Sequence, residues 1–360
     1  MFSLNVPVNS VSFGQVSTGL LRDLCKRKKN VLFRSIGAVD LSTQKSDSDF
    51  KEWLDEASSR FEIEHSRKNK IFKLWHLNGS VESLSERQVL LSFYELDRPT
   101  PQELNVVRNN YKLLFSSQET VDLFKSLGNK NVEYLPLYFD SENFFRNEKQ
   151  YFQDGRIVFN ISGKLERRKH HVKAIRSWIR KFGNNPKYSL QCAIYNGFLS
   201  QEQNGALVHQ ILEGKKVFNV NFLGFMGKNE IYNDFLNSAH IVLGVSGGEG
   251  WGLPEFQSVA LGKHSVILNA NGYKGWANEK NSVLINPSGK ISSIDNVFFK
   301  AGEKFNQGDI HDFKEDDFIS GCEEAIKRVE SKEKNKEGMK LQEEFSVRRF
   351  SDSVLRLISD

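Results

Sequence analysis

Between Ser246 and Lys263 the chain reads SGGEGWGLPEFQSVALGK, with Gly247, Gly248, Gly250 and Gly252 gathered around one carboxylate, Glu249. Glycine allows positive φ and lets a ligand come close to the backbone. Pro254 suits the first position of a helix and Gly262 the position just past its end. The unpaired N–H groups of such a helix start attract an anion, phosphate in particular. A carboxylate in the same loop accepts hydrogen bonds from hydroxyls. A sugar joined to a diphosphate needs both features. The same residues would also make a tight turn with Glu249 in solvent, and spacing leaves that alternative open.

A second stretch, ISGKLERRKHH, follows the apolar run RIVFN and carries Lys164 and Lys169. Both lysines could meet a phosphate, and equally the run could be a solvated helix face. Arg167, Arg168 and His171 are read as surface. Charge places an anionic partner in this region: residues 149–290 hold 18 Lys and Arg against 9 Asp and Glu, while 1–148 hold 20 against 20 and 291–360 hold 12 against 16. In the first half, Gly14 lies in the loop-like NSVSFGQ, His76 ends IFKLWHL, and Glu95 follows QVLLSFY. Each could face a ligand across a crevice, and each could simply close a strand. Asp47 and Asp49 have the D-x-D spacing of a metal site, but polar residues precede them and helical sequence follows, so no metal is assigned.

The elements that would position these residues alternate. FSLNVPV, KNVLFRSIG, NKIFKLWHL, QVLLSFYEL, YKLLFSS and VEYLPLYFD read as strands, with helices at VSTGLLRDLCKRKK, DSDFKEWLDEASSRFE, TPQELNVVRNN and SQETVDLFKSLG. Thr100, Pro101 and Glu103 make a helix-start signature. A second series runs from RIVFNISG to HSVILNA, with helices near Lys169–Phe182, 201–214, 229–237 and 254–261. Alternation of this kind implies α/β architecture with parallel sheets. A length of 360 residues suits two domains. The expected divisions are 1–148, 149–335, and a last helix in 336–360 that crosses back to the first domain; KRVESKEKNKEGMKLQEE is expected to be a solvated helical stretch. Cys25, Cys192 and Cys322 are scattered, without metal or disulfide spacing, as suits a reducing cytoplasm. No apolar run is long enough to cross a membrane, and MFSLNVPVNS does not read as a signal peptide.

The glycine stretch resembles the donor loop of the retaining GT-B glycosyltransferases of family 4, whose pattern is S-x-x-E-G-F-G-L-P-x-x-E. GKLERRKH resembles that family's G-R-L-x-x-x-K-G segment, and VNFLGFMGKNEIYNDFLNSAHIVLGVS its base-binding turn, helix and strand. The resemblance covers most of the second half and is looser in the first; its wording is similar to that of bacterial and phage members. It implies two Rossmann-like, doubly wound domains facing across a cleft, the second holding a nucleotide-diphosphate sugar, with uridine or guanosine as base and a UDP-sugar preferred. It implies that Lys164 and Lys169 grip the diphosphate, Glu249 and His76 contact the transferred sugar, and Phe225 and Met226 meet the base. Gly14, Gly248, Gly250, Trp251, Gly252 and Leu253 would line the donor. No metal and no prosthetic group is implied, and transfer would retain the anomeric configuration.

Two positions depart from the pattern. Gln257 stands where the family has a second glutamate on the ribose, and His170 where it has glycine. An amide accepts from one hydroxyl and donates to another, so binding can survive while ribose preference is put in question. The acceptor is undetermined between a glycan and hydroxymethylated DNA. Two basic clusters could follow a phosphate backbone: Arg22, Lys26, Arg27, Lys28 and Lys29, and then Arg67, Lys68, Lys70 and Lys73. A non-catalytic sugar-nucleotide or nucleic-acid binder on the same scaffold is the alternative, and a phosphorylase or epimerase a further one.

Overall fold

The computed structural model describes residues 2–152 and 154–359. In the first half, β1 (Phe2–Val6), α1 (Ser12–Lys26), β2 (Val31–Ser35), α2 (Ser48–Glu64), β3 (Lys70–Leu74), β4 (Arg87–Ser92), α3 (Pro101–Asn109), β5 (Lys112–Phe115), α4 (Gln118–Ser126) and β6 (Val132–Tyr134) follow one another. The six strands form one parallel sheet in the order β2-β1-β3-β4-β5-β6. Thr100 closes a capping box with Glu103, and Pro101 opens α3, as the sequence signature requires. Asp47 accepts a hydrogen bond from the Phe50 N–H at 2.8 Å, so half of the D-x-D pair caps α2.

The second half contains β7 (Ile157–Gly163), α5 (His171–Phe182), β8 (Tyr188–Ile194), α6 (Gln201–Leu212), β9 (Val220–Phe222), α7 (Asn229–Ser238), β10 (Ile241–Gly244), α8 (Leu253–Ala260), β11 (His264–Leu268) and β12 (Val283–Ile285). Its parallel sheet has the order β12-β11-β10-β7-β8-β9. That is the doubly wound order in which the chain reverses direction between β7 and β10. Ligands of such sheets collect outside the carboxyl ends of the strands at this reversal. Gly163 ends β7 and Gly244 ends β10. The loops that leave them carry Lys164, Lys169 and the glycine stretch.

A hairpin, β13 (Gly289–Ser292) with β14 (Asp309–Asp312), is antiparallel and carries residues 293–308 as an excursion. The chain then forms α9 (Glu315–Glu330), α10 (Lys336–Met339), α11 (Leu341–Glu344) and α12 (Val347–Ser359). The charged stretch expected as one solvated helix is therefore broken. It ends α9, turns through Lys332 at φ 58°, and re-forms as two single turns that lie on α8. The last helix packs against α1, β1 and β3 of the first domain, burying Phe350, Val354, Leu355 and Ile358. Each such side chain stabilises by about 1.5–3 kcal/mol when fully buried. The chain re-enters the first domain at Phe139, whose N–H bonds the Phe345 carbonyl at 2.7 Å. Two further expectations about local structure change. NSVSFGQ is not a loop throughout, because α1 already begins at Ser12 and encloses Gly14. The helix expected from Lys169 begins at His171; Arg167–Lys169 make a separate 3₁₀ turn, ended by His170 at φ 55°.

Candidate active site

The glycine loop is pinned by other chain segments. Gly252 has φ 80°, a left-handed conformation, and the Tyr273 ring occupies the space a Cβ would need. A Cβ at Gly248 would collide with the Glu95 carbonyl oxygen, and one at Gly250 would fall 2.8 Å from the Phe93 Cβ. Ser116 donates to the Gly250 carbonyl at 2.8 Å. The close approach that Gly248 and Gly250 permit is thus to the first domain, which presses the ends of β4 and β5 onto the loop. Elsewhere across the cleft, Asn229 at the start of α7 meets Gln15 at 3.2 Å, Gln44 at 3.2 Å and the Thr43 carbonyl at 3.1 Å.

Beneath the loop lies a buried charge network. Lys169 donates to Glu249, and Arg168 donates to the same Glu249 oxygen at 3.0 Å. The Arg168 guanidinium also pairs with Glu166, reaches Glu95 of the first domain at 3.0 Å, and donates to the Gly248 carbonyl. Arg168, Lys169 and Glu249 are buried. Burial works against the Glu249 carboxylate, but Lys169 and Arg168 outweigh it and hold its pKa at about 2. Burial likewise opposes the Lys169 ammonium, and Glu249 raises its pKa in return. Burial lifts Glu95 to about 7 against the pull of Arg168. The expectation that Arg167, Arg168 and His171 lie at the surface holds for Arg167 alone. His171 is 2 % exposed, with a pKa near 3 from burial and the neighbouring Lys169, and Arg168 is 5 % exposed.

The remaining candidates divide. Lys164 is on the open side, with its ammonium 4.2 Å from the Phe298 ring centroid, 5.3 Å from that of Phe198, and 3.7 Å from Glu166. His76 faces it across the cleft. Its ring is held by Phe13 at 4.5 Å and by the edge of Trp75 at 5.4 Å, and the protein around it and Lys164 both lower its pKa. Phe225 is exposed and Met226 half-buried in the turn before α7. Leu253 and Gln257 lie in α8, the latter buried. Trp251 turns into the core between Phe256 and Phe345, so it anchors the loop from behind. Gly14 lies beneath Asn9, whose main chain fills the space a side chain would take. Glu255, two residues before Gln257, also points inward and has no hydrogen-bond partner for one oxygen. Among the described residues no group of three His, Cys, Asp or Glu side chains is placed to hold a metal ion, and no helix is long and apolar enough to cross a membrane.

Glu255 supplies a pH test. Burial raises its pKa from 4.5 to about 7, with Lys169 opposing. A carboxyl with a raised folded pKa binds protons more tightly when folded, so stability falls as pH rises from about 4.5 through 7. Glu255→Gln should remove part of that slope. Its stability relative to the parent is expected to improve by up to ~3 kcal/mol between pH 5 and pH 8, measured by urea denaturation at each pH. A difference independent of pH would show that Glu255 is ionised throughout.

The two basic clusters lie away from this site. Lys26 ends α1 and Arg27 to Lys29 follow it, and Arg67 to Lys70 precede or open β3, both at the amino edge of the first sheet. Several are already engaged: Arg22 with Asp140, Lys26 with Glu142, Arg27 with Asp352 at 2.5 Å, and Lys73 with the Glu82 carbonyl at 2.9 Å.

No protein-family model matches the chain, and no curated protein matches it. Solved structures do. HepE from Anabaena, in complex with UDP-glucose, superposes with a TM-score of 0.65 at 13 % identity over 100 % of both chains. Sucrose-phosphate synthase from Thermosynechococcus elongatus gives 0.60 at 11 %, over 99 % of this chain and 94 % of its own. The catalytic domain of starch synthase IV from Arabidopsis thaliana, bound to ADP and acarbose, gives 0.64 at 9 %, over 100 % of this chain and 99 % of its own. At such identities the likeness is one of fold. With its two doubly wound parallel sheets opposed through the glycine loop, this chain has the GT-B fold.

Proposed function

We propose that the protein transfers a sugar from a nucleoside-diphosphate sugar, a UDP-sugar by preference, to an acceptor hydroxyl with retention at the anomeric carbon. The observation that carries this reading is the pairing of Lys169 with Glu249 at the reversal point of the second sheet. Lys164, Lys169 and the N-terminus of α8 supply positive charge for a leaving diphosphate, so no metal is required for its neutralisation. Glu249, kept ionised by its two cationic neighbours, accepts from sugar hydroxyls. His76 approaches the same sugar from the first domain. Phe225 and Met226 flank the base, the α1 start at Gly14 lies near the phosphates, and the Gln257 amide takes the ribose. In this reaction the bond from the anomeric carbon to the diphosphate oxygen breaks. The acceptor oxygen bonds that carbon on the same face, and its proton passes to the departing phosphate. HepE and starch synthase IV, which share the fold, were solved with UDP-glucose and with ADP.

Lys164→Ala should weaken UDP binding by about 1.5–3 kcal/mol, the range of a charge-assisted hydrogen bond, with little change in folding because the side chain supports no core. Calorimetric titration of UDP decides this, and an unchanged Kd removes Lys164 from the site. For the acceptor, a glycan is favoured over DNA, since both basic clusters lie at the far edge of the first sheet. Charge reversal at Lys28 and Lys29 together with Lys68 should therefore leave turnover within about twofold, as is usual for surface changes. A steep rise in the acceptor KM, with strong salt dependence, would point back to DNA.

A further inference from the structure

Beside His76, at the carboxyl ends of β3 and β4, the protein encloses a pocket of about 300 Å³. Trp75, His76, Asn78 and Phe93 line it from the first domain. Phe305 and Asn306 line it from the excursion of the second. The excursion is tied to the first domain at two points, the Asn306 N–H to Glu103 at 2.8 Å and Thr100 to the Lys304 carbonyl at 2.6 Å, and β14 at a third, the Asp309 N–H to Asp97 at 2.7 Å. The same excursion carries Phe298, against which Lys164 rests. One segment of the second domain therefore reaches from a diphosphate lysine to the wall of a pocket rooted in the first.

We propose that this pocket is a subsite for one neutral pyranose ring of a glycan acceptor, and that Phe305 and Asn306 select it. The inference rests on the transferase reading above and narrows its acceptor. Its volume is at the floor of the roughly 300–1,000 Å³ range of small-ligand sites, room for one ring. Trp75, Phe93 and Phe305 offer aromatic surface to the C–H face of a sugar, and His76, Asn78 and Asn306 offer donors and acceptors to its hydroxyls. Beside the excursion, Asp97 pairs with Lys290 at 2.7 Å and Arg98 with Asp309 at 3.1 Å. The lining itself includes no Lys, Arg, Asp or Glu, which suits a neutral ring better than a phosphate backbone. Because two walls come from the second domain, the acceptor ring is held in the same frame as Lys164.

Two variants test this on the full chain. Phe305→Ala removes an aromatic wall. Asn306→Gly removes only the amide side chain: Asn306 has φ 60°, which glycine adopts freely, and the N–H to Glu103 is kept. Methyl glucopyranoside, galactopyranoside and mannopyranoside, each anomer in turn, are titrated by saturation-transfer NMR with UDP absent and with UDP at saturation. At least one glycoside is expected to bind the parent, with affinity about tenfold lower in Phe305→Ala and several-fold lower in Asn306→Gly, while the UDP Kd is the same in all three. Three results overturn the inference: no glycoside binding in either condition, binding that neither variant alters, or Phe305-dependent binding of a hydroxymethylcytosine oligonucleotide in place of any glycoside. Failure of UDP to bind the parent would instead count against the donor reading, and the glycoside titration without UDP still decides the pocket.

Discussion

Arg168→Ala is expected to lower the stability of the protein by about 3–5 kcal/mol, the cost of breaking a buried ion pair from one side. The Arg168 side chain is only 5 % exposed and faces three carboxylates, those of Glu95, Glu166 and Glu249. Without the guanidinium, Lys169 is the one cation left beside Glu249, and the Glu166 carboxylate, only 2 % exposed, keeps just Lys164 at 3.7 Å. Buried carboxylates that lose their partner either take up a proton or pull the loop open to water. Arg168→Lys keeps the charge and loses the planar fork that reaches three partners at once, so it should fall between alanine and the parent. Chemical denaturation at pH 7 measures both. Equal stability of all three proteins would mean that the network contributes nothing net. A further consequence concerns domain closure: Arg168 bridges to Glu95, so the alanine variant should also loosen the contact between the ends of β4 and the glycine loop.

Lys169→Ala should lower turnover on a UDP-sugar by about 10²–10³-fold, the usual consequence of losing one group that stabilises developing charge. Lys169 is expected to affect the reaction more than Lys164 because it is buried, where a charge acts through a lower effective dielectric. The ammonium pairs with Glu249 and lies above Gly163 at the end of β7. Sugar release from UDP-glucose, assayed at a temperature where circular dichroism shows the variant folded, separates chemistry from stability. A loss below tenfold would shift the diphosphate grip to Lys164 and the helix start.

How much of this was legible beforehand differs between elements. Parallel-sheet strands are apolar runs bounded by polar turns, and the helices between them have apolar spacing, so both doubly wound halves could be read. The glycine loop was legible because Pro254 and Gly262 mark the ends of α8. Arg168 was not. In KLERRKHH it resembles any solvated basic run, and its partners Glu95 and Glu249 lie 73 and 81 residues away, where local pattern carries no information. Nor could glycine content show that Gly248 and Gly250 pack against the other domain. The hairpin β13–β14 went unread because its strands are four residues each, mostly polar, and interrupted by the excursion. A signal for α9 did exist: Phe318, Cys322, Ala325 and Ile326 recur at helical spacing, and all four are buried. Charge density further on drew the expected helix too far toward the C-terminus.

The transferase reading stands on the claim that Lys164, Lys169 and Glu249 form one donor site, with the lysines on the diphosphate and the glutamate on the sugar. Calorimetric titration of UDP and of UDP-glucose into the parent and Glu249→Gln tests it most directly. Both ligands should bind the parent, and the variant should lose about tenfold for UDP-glucose, as expected for a hydrogen bond to a charged group, while UDP stays within about twofold. Absence of binding by either ligand to the parent, or equal losses for both in the variant, would contradict it.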